Sequence, residues 1–168
     1  MEPMTEEQIA NLIRCPKRVS EPPKRERRTV KGSFRNDMEL VSLDGGVAFT
    51  VFMRQSVRFP EDFSIGLTCK LKDTPRFNIF RCNGPHGDHR DIVPAHPHFR
   101  YHPHLVSAED INDGIFVERH GTALDVYASY RDAVYYFLKH INLDDADKQK
   151  YFPRAELALP LFPDEDSE

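Results

Sequence analysis

The sequence has few cysteines, no long apolar run and no paired metal-binding signature, and each lack excludes something. Cys15, Cys69 and Cys82 are an odd set of three without paired spacing. That argues against a disulfide framework and for a reducing compartment. No stretch approaches the roughly 18 apolar residues that a membrane span needs. The first ten residues are acidic and polar, unlike a secretory signal. The expectation is therefore a cytoplasmic protein with no membrane contact. Neither H-E-x-x-H nor a cysteine pair occurs, and there is no internal repeat.

What is present suits one globular domain. The 168 residues are 39% hydrophobic and 30% charged, which favours a packed, water-soluble chain over a disordered one. The net charge of −4 hides an asymmetry, because eight Lys/Arg and only two Glu lie between Arg14 and Lys31. That segment could contact phosphate, although its prolines and scarcity of apolar residues read more simply as an exposed or mobile arm.

The chain reads as three parts. Residues 1–33 form a short helix over 5–15, capped by Thr5 and Gln8, followed by a basic linker. Residues 34–152 form an α+β domain with a mainly antiparallel sheet. One hairpin is expected around Asp44-Gly45-Gly46, joining strands 38–43 and 47–54. A second joins 63–71 to 76–83. A short strand is expected at 98–102. An amphipathic helix over 123–141, capped by Thr122 and Asp125, should pack Tyr127, Tyr130, Val134, Phe137, Leu138 and Ile141 on one sheet face. Residues 153–168 read as an acidic, proline-rich surface tail.

Six of the eight histidines lie between His86 and His104. Alternation along a strand would place His98, Arg100 and His102 on one face, beside Arg81 and Asn83 of the neighbouring strand. Phe80, Cys82, Phe99 and Tyr101 would fill the other face. Two chemistries suit such a polar face. In metal-free RNA cleavage, two imidazoles exchange the protons of the 2′-hydroxyl and the leaving 5′-oxygen, while guanidinium groups hold the phosphate. The candidate roles are His98 and His102 as acid and base, His86 as assistant, Arg81 and Arg100 on the phosphate, and Asn83 orienting substrate or loop. In metal-dependent hydrolysis, His98 with His102, or His96 with His98, would hold zinc or another divalent ion, with His86, His89, Asp88 or Asp91 completing the shell. A third reading is a binding module without catalysis, in which the polar face and basic arm take nucleic acid or a protein. His120 and His140 read as structural, and Cys82 as a small buried residue.

The run Arg81-x-Asn83-Gly84-Pro85-His86, followed by Pro97-His98 and then His102 and His104, resembles the TumE-like toxins of bacterial toxin–antitoxin modules and a related bacterial and phage group. Its specific part spans about 25 residues, 80–104. The resemblance implies a small α+β fold, action on RNA, and a cognate antitoxin as partner. It matches Arg81, Asn83, Pro85 and His86 to the first motif, and Pro97, His98 and His102 or His104 to the second, with His104 as a substrate contact. Cys82 departs from the pattern, and an acidic residue near Asn83 is missing.

Overall fold

A computed structural model describes residues 3–85, 100–121 and 126–153. Among these residues the fold is α+β around one antiparallel sheet of eight strands. Helix α1 (Glu6–Arg14) starts at the expected capping box, with the Thr5 side chain accepting from the Gln8 backbone and the Gln8 side chain accepting in return. Strands β1 (Lys17–Glu21) and β2 (Arg28–Val30) follow, then β3 (Ser33–Ser42) and β4 (Ala48–Ser56), joined by the expected turn with Gly45 at φ 73°. Strands β5 (Phe63–Cys69) and β6 (Phe77–Asn83) form the second hairpin. Then come β7 (His102–Leu105), α2 (Ala108–Asn112), β8 (His120–Gly121), α3 (Tyr130–His140) and α4 (Asp145–Tyr151). The strand order is β1-β3-β4-β5-β6-β7-β8, with β2 also pairing β3.

The basic segment read as a mobile linker is instead part of the sheet. β3 is ten residues long and is paired by β1 at one end and by β2 at the other. Residues 22–27 bridge these two short strands. Asn36 holds the bridge by accepting from the Lys24 backbone N–H at 3.0 Å and donating to the Lys24 carbonyl at 2.9 Å. Pairing along a pre-formed edge lets so polar a segment order, because backbone hydrogen bonds replace the missing apolar contacts.

Three helices begin at a short polar cap followed three residues later by Asp: Ser107 before Asp110, Ser129 before Asp132, and Asp144 before Asp147. In each, the cap side chain accepts from a backbone N–H of the first turn, which satisfies an orphan donor. The helix expected over 123–141 therefore starts at Tyr130, with Ser129 as its cap. The expected caps Thr122 and Asp125 lie outside the described residues. α2 and α4 carry the same signal and were not expected.

One sheet face is apolar. Met38, Leu40, Phe49, Val51, Ile65, Leu67, Phe80 and Cys82 are buried there, and α3 adds Val134, Phe137, Leu138 and the following Ile141, as expected. Phe137 stacks on Phe80 with ring centroids 5.5 Å apart and planes within 5°. Lys17 is also fully buried. Its ammonium donates to the carbonyls of Ile13 at 2.7 Å, Cys15 at 2.8 Å and Ile141 at 3.1 Å, and lies 4.7 Å from the Phe49 ring centroid. The negative ends of α1 and α3 thus surround one cation.

Candidate nucleic-acid interface

Register places polar residues in rows across the other sheet face. Directly opposed partners lie on the same side, so Arg28, Arg35, Arg54, Ser64, Asn83 and His102 form one row over six strands. The next row runs Asp37, Phe52, Gly66, Arg81, His104 and Gly121. The expected sharing of a face by Arg81, Asn83 and His102 is thus present, and His104 joins them. The rings of His102 and His104 meet edge to face with centroids 4.7 Å apart.

This end of the face is closed and internally bonded. His102 is 0%, Asn83 2% and His104 4% exposed, which decides how far a substrate can reach them. Asn83 accepts from the Ser64 hydroxyl at 2.7 Å, and its carbonyl accepts from the Tyr127 hydroxyl at 3.1 Å. His102 Nδ1 lies 2.6 Å from the Arg100 carbonyl. The Arg81 guanidinium pairs with buried Glu118 at 3.0 Å. Glu118 also accepts from Asn78 at 3.1 Å, and Asn78 in turn accepts from Thr68 at 2.9 Å. Burial pulls the Arg81 pKa down, with Glu118 opposing and the neighbouring Arg54 charge adding to the shift. Gly84 has a packing reason: a Cβ there would sit 1.8 Å from the Glu61 carbonyl oxygen.

The strand expected at 98–102 is displaced to His102–Leu105. Pro103 pairs with Cys82 inside it. Among the described residues β8 pairs only His104 and Leu105, and the described partner of Pro103 is Cys82 alone, a setting that a proline tolerates. Arg100 therefore precedes the strand and is exposed. Tyr101 is half-buried, with its ring 6.1 Å from Phe63 and 5.9 Å from Tyr127. His86 and His98, with His89 and His96, lie outside the described residues. Among the described residues no group of three or more His, Cys, Asp or Glu comes together, so a metal set would have to draw on residues beyond them. Burial raises the Cys82 thiol pKa well above its ordinary range, which suits the packing role read from sequence. His140 stacks between Phe80 at 4.6 Å and Tyr136 at 5.6 Å. Burial, then Arg14, lowers its pKa, outweighing the helix C-terminus that favours a cation there.

A second place was not read as a site. Behind the 22–27 bridge, on the helix side of the sheet, lies a cleft of about 700 Å³. Lys24, Arg25, Arg27, Arg35, Arg54 and Lys150 border it, and no Asp or Glu does among the described residues. Arg35 and Arg54 belong by register to the polar face, so they continue the positive charge around the sheet end. Arg27 stacks on the Phe34 ring at 4.5 Å, and the Lys150 ammonium lies 5.1 Å from the Tyr151 ring centroid. The basic run between Arg14 and Lys31 was the visible signal for this cleft. Its far wall, from Tyr130, Lys150 and Tyr151, is over a hundred residues away in sequence. Comparison with protein-family models, curated proteins and solved structures finds no match to this chain.

Proposed function

We propose that this protein binds RNA through the basic end of its sheet. The observation that carries this reading is the cleft bordered by six basic residues and, among the described residues, no acidic one. Lys24 pairs with Glu21 at the exposed rim at 3.4 Å, yet cations gathered at one cleft repel one another, and a polyanion relieves that repulsion. Arginine forks and aromatic rings beside them suit phosphate and base together. The cations suit any polyanion; RNA in particular is favoured by the resemblance to TumE-like toxins. Lys24 and Arg25 are exposed, and the bridge that carries them is anchored through the Lys24 backbone. Their charge can therefore be reversed without disturbing the core. The expected result for Lys24→Glu/Arg25→Glu is RNA binding weakened by about tenfold or more at low salt, with an unchanged melting temperature. Unchanged affinity in that variant would remove the cleft from the account.

One observation favours a second reading, metal-independent RNA cleavage. The His102 and His104 rings are adjacent and opposite Asn83 and Arg81. Two imidazoles so placed suit an acid–base pair, with Arg81 on the phosphate. Their burial and the Arg81–Glu118 pair weigh towards a structural role, so binding is the leading reading. Products ending in 2′,3′-cyclic phosphate, formed in EDTA and lost in folded His102→Ala, would reverse that order.

A further inference from the structure

We infer that the cleft takes one unpaired nucleotide of the RNA, so that the ligand class is single-stranded. This rests on the RNA-binding reading above and adds a base-recognition element to it.

The cleft has more than charge. Phe34 and Gln55 are direct register partners on the helix side of β3 and β4, and Phe63 is the next partner in the same row. The Tyr130 ring packs edge-on against Phe63 with centroids 5.1 Å apart. Gln55 therefore lies in a row between aromatic rings, with Tyr130 beside the far one, and it is one of the cleft's lining residues. Gln55 is 6% exposed, and its amide Nε2 donates to the Pro60 carbonyl at 2.8 Å. A carbonyl only accepts, so the amide orientation is decided and Oε1 points away from Pro60. Among the described residues that buried Oε1 has no hydrogen-bond partner. A buried acceptor without a donor is costly, and a turn of the Gln55 amide towards the cleft it lines would let a ligand N–H satisfy it.

Nucleobases supply such a donor on their Watson–Crick edge, together with a face to lie against aromatic rings. The edge is available only when the base is unpaired. Cationic Lys24, Arg27 and Lys150 at the same cleft provide for the adjoining phosphates. Duplex RNA offers phosphate to the rim but no free base edge to Gln55.

The test compares an unpaired oligonucleotide with a blunt duplex of the same length, by fluorescence anisotropy on the full chain. The wild type should bind the unpaired strand about tenfold tighter, the scale of one base stacked on an aromatic ring. Tyr130→Leu should remove most of that preference and leave duplex binding unchanged. A second measurement needs no variant: adenosine monophosphate should displace the labelled strand at concentrations where inorganic phosphate does not. Equal affinity for both polymers, with equal competition by the two small anions, would overturn the inference and leave the RNA reading standing. Absence of binding to either polymer at low salt would overturn both.

Discussion

The Lys17 ammonium donates to the Ile141 carbonyl at 3.1 Å across 124 residues of sequence. The same lysine receives a backbone bond at its carbonyl from Asp144 N–H at 2.8 Å and gives one from its N–H to the Asn142 carbonyl at 3.1 Å. One residue thus fastens the start of β1 to the turn between α3 and α4, and with it one end of the basic segment. Lys17→Met keeps the stem's packing but strips three buried carbonyls of their donor. The expected cost is about 3 kcal/mol, seen as a lower melting temperature and faster proteolysis within residues 17–31. An unchanged melting curve would mean that the ammonium is dispensable there.

Glu118 is buried and holds both Arg81 and Asn78. Glu118→Gln keeps the shape but leaves the half-buried guanidinium without its counter-charge. A loss of about 2 kcal/mol is expected in chemical denaturation, less than for a fully buried pair because Arg81 retains some contact with water. Arg81→Met in the Glu118→Gln background should recover part of it, and additive losses would show that the pair is not coupled.

Gly66 and Gly84 should differ in their tolerance of alanine. At Gly66 a Cβ would lie 2.4 Å from the Phe52 ring, and at Gly84 it would lie 1.8 Å from a backbone oxygen. A ring can turn aside, but the Glu61 carbonyl belongs to the chain leading into β5. Gly84→Ala should therefore destabilise more than Gly66→Ala, by about 1 kcal/mol or more in denaturant midpoints. The reverse order would assign Gly84 a role other than packing.

His140 gives the fold a pH dependence. Its folded pKa lies below the ordinary 6.5 because burial disfavours the imidazolium. As pH falls through 6.5 the unfolded chain takes up this proton and the folded chain does not, so stability is lost in the acid direction and is complete above that window. His140→Phe keeps the stack between Phe80 and Tyr136 without the titration. Its melting temperature should fall less than the wild type's between neutral and mildly acid pH. Parallel pH profiles would place the sensitivity elsewhere.

The sheet and the α3 core were legible because their signals are local and repeated. Val47 to Arg54 alternates, Asp44-Gly45-Gly46 turns, and Val134, Phe137, Leu138 and Ile141 recur at helical spacing. The shared face of Arg81, Asn83 and His102 was legible for the same reason. The order of residues 17–30 was not, because it depends on β3 offering an edge, on Asn36 holding Lys24, and on Lys17 bonding to Ile141, Asn142 and Asp144 across the fold. The displaced β7 turned on Pro103, which pairs with Cys82 inside the strand rather than ending it. The cleft was half-legible: Lys24, Arg25 and Arg27 are adjacent in sequence, whereas Gln55 and Tyr130 meet them only through the fold.

In the binding reading we propose, the cations around the cleft hold RNA and the buried histidine pair does not. The most direct test is the salt dependence of RNA affinity in wild type, Lys24→Glu/Arg25→Glu and His102→Ala. With single strands, each phosphate contact contributes about 0.7 to the slope of log affinity against log salt. A shallower slope, by about 1.4, and weaker binding are expected for the charge-reversed variant, with folded His102→Ala keeping the wild-type slope and affinity. Binding lost in His102→Ala and retained in the charge-reversed variant would contradict it.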